Sequence, residues 1–122
     1  MRSVIVQFGS TRVLHCPAEE ERIASEGDTD AVLGAAWEHR AHLVAIDTSR
    51  LDDAFFDLSS GLAGRIVQRF VNYRIPLAIL GDIGPHLHRS RALADYLRES
   101  NRGSAVWFLD SLTDLETRLL EK

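Results

Sequence analysis

Residues 55–74 read FFDLSSGLAGRIVQRFVNYR and run almost directly into PLAIL at 76–80. Leu62, Ile66, Phe70 and Tyr73 recur at steps of four, four and three, and Ala63 and Val67 widen the stripe. That period is helical, so an amphipathic helix is expected from near Ser60. PLAIL is short and apolar without alternation, the pattern of a strand covered on both faces. A helix feeding such a strand points to an α/β sheet with parallel strands.

The flanking segments extend the pattern. LVAI (43–46) and AVWFL (105–109) are two more short apolar runs. Val32, Leu33, Ala36 and Trp37 form a helical stripe reaching about Arg40, with Asp28 as the expected N-cap and Asp30 in the first turn. Residues 81–85 read as loop. A third helix is expected over 88–101, with Leu93, Tyr96 and Leu97 facing inward and Asn101 and Gly103 at its end. Ser111 and Asp114 resemble a capping pair ahead of Leu112, Leu115 and Leu119. Upstream, SVIVQF (3–8) and TRVLHC (11–16) flank Gly9-Ser10 as a hairpin, which Pro17 ends. The polar stretch AEEERIASEG follows, with Ile23 and Ala24 as its contacts to the body. The expected order is β-β-α-β-α-β-α-β-α: one domain over 1–122, with helices packed on a mixed, mostly parallel five-stranded sheet.

Composition restricts the functional classes. The chain of 122 residues is 45% hydrophobic and 26% charged, as an ordinary globular domain is. Fourteen basic against 18 acidic residues leave a formal charge of −4, which disfavours non-specific nucleic-acid binding. No apolar run approaches a membrane span, and the N-terminal residues lack the long apolar region of a signal peptide. With Cys16 as the single cysteine there is no internal disulfide, and a cytoplasmic protein is expected.

The element order, with LVAIDTSRL (43–51) and FDLSSGL (56–62), resembles the STAS fold of anti-sigma-factor antagonists. In those domains a strand leads into an LDLSG-like turn and a DSSGL-like loop opens a helix. Here Leu58 stands between Asp57 and the serine pair, and the connecting DDAF is longer than usual. The chain resembles more closely a bacterial family known only as domain of unknown function 4180, through FFDLSSGLAGRIVQRFVNYRIPLAILGD and LRESNRG (97–103). The STAS resemblance implies a protein partner, a kinase or regulator, and a phosphorylated serine in the loop, Ser59 or Ser60. A phosphate there sits near a helix N-terminus, where the dipole favours it. Serine pairs ahead of helices are also ordinary caps, and Gly61 then serves tight packing.

Other residues carry weaker signals. His86 and His88 follow the fourth strand, with Asp82 as a third potential ligand, but His-x-His alone is a common pattern and no metal site is assigned. HLHRSR (86–91) gathers Arg89 and Arg91 at the expected start of a helix, where a phosphate or carboxylate can bind and where a solvated polar face is equally ordinary. Asp47, Asp57 and Asp82 fall at or after strand ends, as catalytic carboxylates do and as turn-forming aspartates do. ESNRG (99–103), with Arg102, reads as a helix stop or a ligand contact. Trp37 and Trp107 read as core or interface anchors.

Two functions follow. The first is a non-enzymatic regulatory module binding a protein partner through the rim at residues 55–62 and the second helix. The second is a small-molecule or enzyme site at the carboxyl ends of the strands. No cofactor is implied by either, and homodimerisation is compatible with both, without a surface that the sequence singles out.

Overall fold

The computed structural model describes residues 4–17 and 22–121. The expected start of the first strand at Ser3 and the polar segment 18–21 lie outside the described residues. Five strands, β1 (Val4–Phe8), β2 (Thr11–Cys16), β3 (Leu43–Asp47), β4 (Leu77–Leu80) and β5 (Val106–Leu109), form one sheet in sequential order. β1 and β2 pair as an antiparallel hairpin about Gly9-Ser10, and every other pairing is parallel. The mixed α/β sheet is the expected one.

Five helices cover it: α1 (Asp30–Glu38), α2 (Leu62–Asn72), α3 (Gly84–Arg89), α4 (Arg91–Arg102) and α5 (Leu112–Leu120). Sequential parallel strands joined by right-handed crossovers place all their crossover helices on one face. Accordingly Val32, Leu33 and Ala36 of α1, Ile66 and Phe70 of α2 and Leu93 of α4 join one buried cluster with Leu14, Val44, Ile46, Leu77, Ile79 and Phe108. The alternate strand residues Val13, Leu43, Ala45, Ala78 and Leu80 form a second cluster against Leu115 of α5. α5 leaves β5, an edge strand of the sheet, and folds back over the opposite face. This two-sided burial explains why the strands read as unbroken apolar runs.

Several local expectations change. Asp28 is not the first cap: Ser25 caps a 3-10 turn over Glu26–Thr29, and Asp28 is its reciprocal partner in a capping box. The N–H of Ala24 is the main reason the Asp28 carboxyl is held below its ordinary range. Asp30 opens α1 and is bound by Arg69 of α2. The third helix is two helices, because Ser90 adopts an extended conformation and caps α4 by accepting from Leu93 N–H at 3.1 Å. α3 occupies part of the expected loop 81–85, with Pro85 in its first turn. Asn101 is more than a helix stop. Its side-chain amide exchanges hydrogen bonds of 2.7 and 3.1 Å with the backbone of Phe108, closing part of the β5 edge. Trp107 packs under the Arg118 guanidinium and donates to Gly103 O. Trp37 is not in the core: the indole is 83% exposed. Tyr73 also points outward, since it is the C-cap of α2 and lies beyond the last turn that touches the sheet.

Candidate functional site

The segment between β3 and α2 supplies the site, and its shape follows from aspartates. Asp47, Asp52 and Asp57 of this segment, and Asp82 in the loop after β4, make the same short-range bond, a carboxylate accepting the backbone N–H two residues on. Asp47 takes Ser49 N–H (3.1 Å), Asp52 takes Ala54 (3.1 Å), Asp57 takes Ser59 (3.1 Å) and Asp82 takes Gly84 (2.8 Å). The chain therefore descends from β3 through three 3-10 turns, Thr48–Arg50, Asp53–Phe56 and Leu58–Ser60, before α2 begins. Phe55 is fully buried and packs on Phe56 and Phe108, which pins the segment to the core.

The serine pair does not form the N-cap of α2. Ser59 and Ser60 belong to the turn that Asp57 caps, and α2 starts two residues later, at Leu62. The N-cap is Gly61, whose φ of 78° is a left-handed conformation that glycine adopts cheaply. The Arg65 guanidinium lies beside the place a Gly61 Cβ would take, its Nη1 2.8 Å from that point. It donates weakly to Ser60 O at 3.4 Å and pairs with Glu26 at 3.7 Å. Both hydroxyls are committed. Ser59 Oγ donates to Asp57 at 2.6 Å, and Ser60 Oγ donates to Ala54 O at 2.6 Å while accepting from Leu62 N–H at 3.2 Å. Ser49 repeats the Ser59 arrangement on Asp47 at 2.9 Å.

Beside this turn lies an open cleft of about 380 Å³, lined by Asp53, Ala54, Phe56, Asp57, His86, Arg89 and Ser90. The Phe56 ring stacks on His86 with centroids 4.3 Å apart and planes 15° from parallel. Arg89 Nη2 reaches to 3.2 Å of His86 Nδ1. Three of the residues expected at a rim, Asp57, His86 and Arg89, thus meet in one cleft. The others do not join them. Asp47 and Asp82 are tied to their own turns, His88 is exposed on α3, and Arg102 closes α4 at the far end of the crossover, 3.6 Å from Glu99. His86, His88 and Arg89 close the short α3, while Arg91 opens α4 directly after the Ser90 cap, so the expected pair Arg89 and Arg91 is divided between two helices. Among the described residues no group of three His, Cys, Asp or Glu is placed to hold a metal ion. Cys16 is fully buried, and burial outweighs Asp47 in lowering the pKa of neighbouring His15.

Sequence reasoning placed Phe56 in the rim at 55–62 but missed its stacking on His86, and it missed Asp53 and Arg65. Phe56 and His86 are thirty residues apart, and nothing local announces their stacking. Arg65 was within reach, since it stands one helical turn after Gly61.

The model of the family described as "Domain of unknown function (DUF4180)" matches residues 8–119. The chain belongs to this family. No curated protein and no solved structure matches the chain. Among the described residues of this family member, no helix is long and apolar enough to cross a membrane.

Proposed function

We propose that this domain is a non-enzymatic, STAS-like regulatory module of the bacterial cytoplasm, binding a protein partner through residues 53–61 and the cleft beside them, and switched by phosphorylation at Ser59, with Ser60 as the second candidate. One observation carries this reading: the exposed Ser59 hydroxyl donates its proton at 2.6 Å to Asp57, the carboxylate that caps the same turn. A phosphate on Ser59 removes that donor and sets a dianion against Asp57. The cap opens, and the Arg65 guanidinium, which already reaches Ser60 O, is a cation beside the turn that can rearrange toward the phosphate. The modification therefore changes both the charge and the backbone of the proposed contact surface.

The test combines mass spectrometry of the protein from its native cells with partner capture by protein carrying genetically installed phosphoserine at position 59. Phosphoserine at position 49 is the control, because Ser49 has the same local geometry on the neighbouring turn. A native phosphate on Ser59 or Ser60, and a partner held by only one form of position 59, are expected. Unmodified native serines together with identical capture would sink the reading.

A second reading, a small-molecule site, has one observation in its favour: the convergence of Asp57, Arg89 and the Phe56–His86 stack on one cleft. Aromatic, acidic and basic groups there suit a small planar, polar ligand. Displacement of the His86 imidazole resonances by such a ligand, lost in Phe56→Ala, is its test.

A further inference from the structure

The opposite end of the sheet carries a surface that the cleft does not touch. Where α1 and α2 finish and the chain turns into β3 and β4, Trp37 is 83% exposed and Tyr73 59% exposed. Beside Trp37, between the two helices, is a hollow of about 530 Å³ floored by Leu33, Gly34 and Ile75. On its other side is a second hollow of about 660 Å³ at the Arg40 and Arg74 turns. A projecting indole thus stands next to unfilled apolar space. Gly34 adds to that space, since a Cβ there would meet nothing within 4 Å.

The charges around the aromatic pair are also of both signs. Glu38, Arg40 and Arg74 line the second hollow, and none of the ion pairs among the described residues engages them. Arg69 and Asp30 at the first hollow already satisfy each other. Arg40 and Arg74 further occupy matching left-handed positions, φ 56° and 58°, one residue beyond the C-caps of α1 and α2, where glycine is the usual residue.

We propose that this surface binds a second copy of the chain across a two-fold axis. A projecting side chain beside a hollow, with unmatched carboxylate and guanidinium groups on the same patch, is what a self-complementary contact requires. The axis places each Trp37 in the partner's Leu33–Gly34–Ile75 hollow and turns each Glu38 toward the partner's arginines. A uniformly acidic peptide would satisfy Arg40 and Arg74 but leave Glu38 opposed. The dimer leaves the cleft at the carboxyl end open on both copies, so it is independent of the regulatory reading.

Sedimentation equilibrium of the purified chain, up to roughly millimolar concentration, tests this. A monomer–dimer equilibrium is expected, weakened at least ~30-fold by Trp37→Ala, the loss typical of an interface anchor. Gly34→Arg, which fills the hollow from an exposed helical position, is expected to do the same. Circular dichroism checks that both variants fold. A wild-type monomer at every concentration overturns the proposal. So does a dimer indifferent to both substitutions, which would locate the contact elsewhere, for example on the free edge of β1.

Discussion

The two ends of the sheet solve the same problem with opposite residues. Each must let the chain pass through left-handed backbone between a helix and a strand. At the carboxyl end the positions are Gly61 (φ 78°) and Gly81 (φ 136°). At the amino end they are Arg40 (φ 56°) and Arg74 (φ 58°). Glycine minimises strain, and at the carboxyl end it also makes room: Arg65 lies over Gly61, and a Gly81 Cβ would run into the Thr48 hydroxyl. That end is tightly built, with Asp47, Asp52, Asp57 and Asp82 each capping a turn. The amino end tolerates strained arginines in the open, beside exposed aromatic rings. Close packing accounts for the first set of residues. Folding alone does not account for the second.

The largest expected effect lies at Gly81. Gly81→Ala adds both an unfavourable φ and a clash with Thr48, and should cost about 3 kcal/mol of stability. Urea unfolding measures it; a loss below about 1 kcal/mol would show that the carboxyl end is not tightly built and would break the contrast. Next is Asp57→Ala, which removes the cap from Ser59 N–H and the partner of the Ser59 hydroxyl. A loss of about 1 kcal/mol is expected, with faster amide exchange confined to the turn at 58–62 and the start of α2. Asp57→Asn should recover part of it, because a side-chain oxygen remains as acceptor. The smallest effect, and one of opposite sign, belongs to the amino end. Arg74→Gly relieves the left-handed strain and should raise stability by about 0.5–1 kcal/mol in dilute protein. Destabilisation instead would mean that Arg74 has a folding role, and the two ends would differ less than their residues suggest.

Much of this architecture was legible in the chain. Leu62, Ile66 and Phe70 announced α2 through their spacing, and LVAI, PLAIL and AVWFL announced two-sided strands through their lack of alternation. Both signals are local, since helix and strand periods are properties of the backbone. The aspartates were legible as turn formers for the same reason, because a carboxylate bonds the N–H two residues on without help from the rest of the fold. Where local signals competed, the readings failed. Ser60 resembled a helix cap, but Asp57 three residues earlier takes the pair into a turn of its own. Leu93, Tyr96 and Leu97 carried the right helical stripe, while the break at Ser90 was hidden because serine is common both in and before helices.

Sequence alone therefore determined the alternation of strands and helices, the mixed sheet and the existence of a polar, aspartate-rich end. Tertiary structure alone decided which of those polar residues meet. Asp57, His86 and Arg89 converge because β3 and β4 are neighbours in the sheet and the loops leaving them lie side by side. Arg102, similar in type to Arg89, is carried away by the length of α4. The fate of Trp37 was likewise undecided by pattern: one position past Ala36 turns a helical side chain by about 100°, from the sheet toward solvent. Periodicity reports which residues share a face of an element, and only packing reports what that face meets.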